Sequence, residues 1–246
     1  MENFFNPFKR SSAETASKFN YEIFDSSRVR EEIFKICESL VNFVHENRVA
    51  NIIAIDKSAR PFHVGFREYW HHKFPGERIP NVYFMNPNGF VTDEETEYEW
   101  SYYNMKAAYK DDILDSEDAR SYQEIEEDFK NTFKKLHHDK DKPVLIFDTC
   151  IHSGDSLKNI LSTMEDAGFQ DVMISVASNN HEAMVEIDHC CHDKELRKGC
   201  YPFDRDQAIK KTFSSVVSQR NNDVDMYHSN QIRKEIREII SSKISK

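Results

Sequence analysis

The sequence predicts an α/β protein built on a doubly wound, largely parallel sheet flanked by helices, in a single domain spanning residues 1–246. Three observations lead there. Short apolar runs recur at 51–56, 81–85, 144–148 and 171–177. Segments with apolar residues at three- and four-residue spacing separate them. Strand and helix therefore alternate at least three times, the order that builds a parallel sheet through right-handed crossovers with helices on both faces. A chain of 246 residues suits one sizeable domain and leaves little for a second.

Each element has its own signal. Ile33, Phe34, Ile36, Cys37, Leu40, Val41 and Val44 make residues 26–48 an amphipathic helix, with Asp25, Ser26 and Ser27 as N-cap candidates. Asn51 to Asp56 reads as a short buried strand, followed by Lys57-Ser58-Ala59-Arg60-Pro61 and a helix over 62–73 whose apolar side carries Phe62, Phe66, Tyr69 and Trp70. Asn81 to Met85 is the next strand, stopped by Asn86-Pro87-Asn88-Gly89. Residues 92–140 form an acidic insertion, aromatic at first (Tyr98, Trp100, Tyr102, Tyr103, Tyr109) and helical in pattern over 117–137, where Ile125, Phe129, Phe133 and Leu136 share a face. After the strand that starts at Val144, a stripe of Leu157, Ile160, Leu161, Met164 and Ala167 marks a helix ended by Gly168. Asp171 to Ala177 is a further buried strand, and Glu235 to Ile240 a terminal helix.

Composition narrows the function classes. A net charge of −10 with 31% charged residues describes an acidic surface, which argues against a sequence-tolerant nucleic-acid binder. No apolar run approaches a membrane span, and the N-terminus lacks the basic and apolar pattern of a secretory signal. Five Cys, an odd number with two adjacent, do not form a disulfide framework and point to a reducing cytoplasm. Residues 1–20 are expected to be flexible, or to dock Phe4, Phe5 and Phe8 on a partner subunit.

The chemistry concentrates at Val144-Leu145-Ile146-Phe147-Asp148-Thr149-Cys150-Ile151-His152-Ser153-Gly154-Asp155-Ser156-Leu157. A buried strand here delivers a carboxylate beside a Ser-Gly-Asp-Ser turn that opens a helix. The carboxylate can accept sugar hydroxyls or hold a metal, while loop N–H groups, hydroxyls and the positive helix end suit a phosphate. A second anion-friendly turn, Asp56-Lys57-Ser58-Ala59-Arg60, follows the first core strand, with Lys57 offering a point charge, Ser58 a hydroxyl and Arg60 a bidentate fork. In a doubly wound sheet both loops fall at the carboxyl ends of the strands, where ligands bind.

The long stretch resembles the phosphoribosyl pyrophosphate (PRPP) signature of type I phosphoribosyltransferases. Asp148 takes the place of the first acid, Cys150 and Ile151 the apolar pair, and Ser153-Gly154-Asp155-Ser156 the phosphate loop. Thr149 and His152 depart from the pattern, standing where that family usually has a second and a third acid. The resemblance implies PRPP bound with Mg²⁺ and transfer of its phosphoribosyl group to a nucleobase or related nitrogen nucleophile, through residues 148, 149 and 151–156. Asp148 would orient the Mg²⁺ assembly, directly or through water, and His152 would act as acid or base beside the base nitrogen. Residues 56–60 would be the pyrophosphate loop, part of 92–140 a mobile lid, and Tyr201 or Phe203 a stacking surface for the base. Members of the family are often dimers, so a homodimer is expected.

Two alternatives stand beside this reading. Thr149 and His152 would permit a catalytically inactive regulator that keeps the fold and the ribose-phosphate pocket. His181, His189, Cys190, Cys191, His192 and Cys200 bring six zinc-type ligands into one stretch, though no regular zinc spacing occurs among them.

Overall fold

The computed structural model describes residues 19–55, 59–85, 90–91, 119–120, 122–136, 141–151, 155–179, 185–192, 208–209, 217–218 and 223–244. The chain enters through α1 (Ser27–Glu46), β1 (Asn51–Ile55), α2 (Ala59–Lys73) and β2 (Asn81–Met85). Two short strands, β3 (Phe90–Val91) and β4 (Ala119–Arg120), pair in parallel ahead of α3 (Tyr122–Leu136). Then come β5 (Val144–Ile151), α4 (Asp155–Asp166), β6 (Val172–Asn179) and β7 (His189–Cys190). An antiparallel pair, β8 (Ala208–Ile209) and β9 (Val217–Ser218), precedes the last helix, α5 (Asp223–Ile244).

Five strands form one sheet in the order β2-β1-β5-β6-β7, every neighbouring pair parallel. From β1 the chain steps outward to β2, whereas from β5 it steps the other way to β6 and β7. The order therefore reverses between β1 and β5. Side-chain alternation splits the core in two. Ile52, Ala54, Leu145 and Phe147 face α1, α2 and α5, while Ile53, Ile55, Val144 and Ile146 face Phe129, Phe133 and Leu136 of α3 and Leu157, Ile160 and Met164 of α4.

Local chemistry sets the helix ends. Ser26 caps α1, its Oγ accepting the Val29 N–H at 3.5 Å. The α4 helix ends as the sequence predicts: Gly168 takes φ of +84°, its N–H reaches the Glu165 carbonyl at 2.9 Å, and the Phe169 N–H reaches the Met164 carbonyl at 3.0 Å. That is a left-handed glycine cap.

Four expectations are corrected. The second helix starts at Ala59 rather than residue 62, because Pro61 lies in its first turn, where a missing N–H costs nothing. The signature strand does not stop at Asp148 but continues to Ile151, held by the pairs Asp148↔Val176, Cys150↔Ser178 and Ile151↔Asn179. The insertion's helix spans 122–136, with β4 occupying part of the stretch ahead of it. The last helix is far longer than 235–240, running from Asp223 to Ile244. Its first turns carry Asp223, Asp225, His228, Ser229, Asn230 and Gln231, which hide the apolar periodicity.

Buried polar contacts stitch the α1/α2/α5 face. Glu235 of α5 is fully buried, and its carboxylate accepts the N–H groups of Glu22 (2.7 Å), Ile23 (3.1 Å to each oxygen) and Phe24 (2.8 Å). Gln231 Nε2 adds a fourth donor at 2.9 Å. Three consecutive amides ahead of α1 are thereby satisfied by one side chain more than 200 residues away. Arg30 secures the same segment, donating to the Phe24 and Asp25 carbonyls and lying over the Tyr21 ring.

Candidate functional site

The reversal of strand order between β1 and β5 opens a crevice at the carboxyl ends of those two strands, the usual ligand site of an open α/β sheet. In the β1–β5 register Ala54 pairs with Phe147, so β1 ends, at Ile55, within about one residue of the level of Asp148. Parallel pairing of these strands thus brings the two loops singled out in the sequence to the same edge of the sheet.

On β5 the burial pattern changes at the signature. Val144 to Phe147 are buried, Asp148 and Cys150 are half-buried, and Thr149 and Ile151 are buried at 4% and 3% exposure. Asp148 is therefore the carboxylate that the strand carries toward solvent at this edge. One of its oxygens, Oδ1, accepts the N–H of Thr149 at 2.6 Å, which fixes the side chain against its own strand. Thr149 and Ile151 lie within the core, so either would meet a ligand through its backbone. The 12-residue helix α4 begins at Asp155, placing Asp155 and Ser156 in the first turn with its unpaired N–H groups. His152, Ser153 and Gly154 lie outside the described residues, as do Asp56, Lys57 and Ser58.

Ala59 and Arg60 open α2 from the neighbouring strand. The Arg60 guanidinium lies over the ring of Phe84, its Cζ 4.2 Å from the centroid. His63, one turn further along α2, meets the same ring edge-on at 5.3 Å. Burial, then the charges of Arg67 and Arg60, push the His63 pKa down to about 4, so the ring is neutral at ordinary pH. Neither Phe84 nor His63 stands out in the sequence. No sequence signal marks them, because their contact exists only once β1 and β2 are paired.

The cysteine and histidine cluster separates in the fold. Cys191 packs with the α1/α2/α5 face and Cys190 with the α3/α4 face, so the adjacent thiols stand on opposite sides of the sheet. His189 is engaged on both nitrogens, Nε2 with Ser39 Oγ at 3.0 Å and Nδ1 with Ser175 Oγ at 2.9 Å, and it stacks on Phe43 at 4.3 Å. Burial lowers the His189 pKa, opposed by Glu46, and raises that of Cys191 to about 12. These are the features of core groups rather than metal ligands. Among the described residues no three His, Cys, Asp or Glu side chains form a group that could hold a metal ion. His181 and Cys200 lie outside the described residues, as do Tyr201, Phe203 and the stretch 92–118. Among the described residues no helix is long and apolar enough to cross a membrane.

The fold defines the class as a doubly wound, parallel α/β protein with a switch point between β1 and β5. No family model matches the sequence, and none of the curated proteins does. Among solved structures the chain is similar to a purine phosphoribosyltransferase from Pyrococcus horikoshii, at 10% identity and a TM-score of 0.36 over 65% of this chain and 81% of the other. A hypoxanthine phosphoribosyltransferase from Staphylococcus aureus aligns at 15% identity and a TM-score of 0.38, over 66% and 73% of the two chains. An HGPRT-ase from Leishmania tarentolae, solved with GMP, aligns at 8% identity and a TM-score of 0.39, over 67% and 75%.

Proposed function

We propose that the protein binds PRPP with Mg²⁺ at the carboxyl ends of β1 and β5 and transfers the phosphoribosyl group to a nitrogen of a nucleobase or similar amine. The observation that carries this reading is the placement of Asp148. It is a half-buried carboxylate at the switch point, flanked on one side by the start of α4 and on the other by the start of α2 with Arg60. PRPP carries phosphate at both ends of a sugar, and such a molecule fits between two anion-binding helix starts with a hydroxyl-binding acid between them.

In this reaction the bond from the anomeric carbon to the pyrophosphate oxygen breaks as the nitrogen–carbon bond forms, and the nitrogen gives up its proton. Positive charge builds on the ribose and negative charge on the departing pyrophosphate, so positioning and charge neutralisation do most of the work. Asp148 accepts the ribose hydroxyls and faces the ring as its charge develops. The loop at 153–156 with the first turn of α4 holds the 5′-phosphate through N–H groups and hydroxyls, and Asp155 contributes its backbone. Arg60, with Lys57 and Ser58, takes the pyrophosphate, while His152 takes the proton from the nucleophile. A single carboxylate suits Mg²⁺, which keeps several waters and binds through one or two carboxylates plus substrate phosphates. That ion would neutralise the pyrophosphate oxygens. The four described cysteines are free thiols, which suits a reducing, cytoplasmic setting.

Calorimetric titration of Mg·PRPP into the wild type and Asp148→Asn tests the proposal. Binding that weakens at least about tenfold in the variant, roughly 1.4 kcal/mol, is the expected result. No heat with either protein overturns it. Burial of Thr149, at the position where a second acid would stand, favours a second reading: a PRPP-binding regulator without turnover. Consumption of PRPP in the presence of a panel of nucleobases separates the two, since a regulator binds and leaves PRPP intact.

A further inference from the structure

We propose that Phe84 and His63 are positioning residues that hold the Arg60 guanidinium at the pyrophosphate end of the crevice, so that the site selects the diphosphorylated sugar over ribose 5-phosphate. The inference deepens the functional reading above and rests on it.

Two elements meet here, α2 and β2. Arg60 stands in the first turn of α2, His63 one turn later on the same face, and Phe84 one residue before the carboxyl end of the edge strand β2. The ring of Phe84 meets both, its face under the guanidinium at 4.2 Å and its contact with the imidazole at 5.3 Å and an interplanar angle of 84°. A planar cation on an aromatic face is attracted by the ring's quadrupole and loses part of its rotamer freedom. A long side chain held before the ligand arrives spends less entropy on gripping it. The edge-on imidazole in turn limits rotation of the phenyl ring.

Two features make His63 a brace rather than a ligand-binding group. It is mostly buried, and its ring is taken up by the edge-on contact with Phe84. Its depressed pKa keeps it uncharged, so it supports Arg60 without repelling it. A protonated imidazole would place a third cation between Arg60 and Arg67. The Phe84 ring, partly buried against the core, thus contacts both side chains at the carboxyl end of β2.

The test titrates Mg·PRPP and, separately, ribose 5-phosphate into the wild type, Phe84→Leu, Phe84→Trp and His63→Leu. Phe84→Leu is expected to weaken PRPP by about tenfold and to leave ribose 5-phosphate unchanged, because only PRPP carries the group that Arg60 grips. His63→Leu should lose less, and Phe84→Trp, which keeps an aromatic face, should bind PRPP as the wild type does. Unchanged PRPP affinity in Phe84→Leu overturns the inference while leaving the PRPP site standing. Equal loss of both ligands also overturns it, since that marks a general structural role. A wild type that takes up neither ligand overturns the functional reading and this inference with it.

Discussion

The two faces of the sheet are covered by different chemistry. On the α3/α4 face an apolar layer carries the packing: Phe129, Phe133, Leu136, Leu157, Ile160 and Met164 close over Val144 and Ile146. On the α1/α2/α5 face the apolar core is interrupted by polar ties: Glu235 to the amides of 22–24, Tyr69 to Glu38 at 2.7 Å, and His189 between two serines. The difference teaches where geometry has to be specified rather than merely filled. Apolar packing tolerates rearrangement as long as volume is kept, whereas a buried hydrogen-bonded network allows few arrangements. The tied face carries α2, and α2 presents Arg60.

The largest break in this asymmetry should come from Glu235→Ala. It removes the acceptors of three consecutive N–H groups and of Gln231, with an expected loss of about 4 kcal/mol at a cost of about 1–3 kcal/mol per stranded donor, partly relieved by water. Urea denaturation measures it. Glu235→Gln keeps one acceptor and should lose about half as much. A loss under about 1 kcal/mol for the alanine variant would show that the ties do not set the stability of this face.

Acid should expose the same face next. The folded-state pKa of His63 is depressed to about 4 from an ordinary 6.5, and that of His189 is depressed in the same direction. Unfolded chains bind protons first, so this stability is present above pH 6.5 and is lost as pH falls toward 4. For His63 the span of two and a half pH units corresponds to about 3 kcal/mol. Denaturation midpoints of the wild type and His63→Gln between pH 7 and 4.5 check it, and parallel curves for the two proteins would refute the assignment. The smallest effect concerns packing alone. A methyl at Gly65 would run into Cys37 Sγ and meet Ile236 Cγ2 at 3.2 Å, so Gly65→Ala should cost about 2 kcal/mol. Adding Cys37→Ala should return part of that loss.

The sequence made the α3/α4 side and the central strands legible, because apolar alternation and helical stripes report burial directly. Helix α1, strand β2 and the glycine cap at 168 come within a residue or two of their expected places. The place of Asp148 near the carboxyl end of a core strand also was legible, since an acid in a buried-strand pattern marks where the strand reaches solvent. The ties were not. Glu235 reads as one charge among many on a polar helix, and only the fold shows that residues 22–24 need an acceptor there. Nor could periodicity show that β5 continues past Asp148, since that depends on β6 lying alongside as far as Asn179. Phe84 and His63 escaped for a related reason. The roles proposed for them come from a strand end and a helix start that meet only once β1 and β2 are paired.

The long reach of Glu235 also bears on how the chain is made. During synthesis the segment at 22–24 emerges early, yet its acceptor arrives only after more than 200 further residues have been added. Until then three backbone donors and the apolar stripe of α1 wait without the helix that finally covers them. Closure of the α1/α2/α5 face is thus a late event by construction, and premature termination anywhere before residue 235 leaves the nascent protein with that face open to chaperones and proteases.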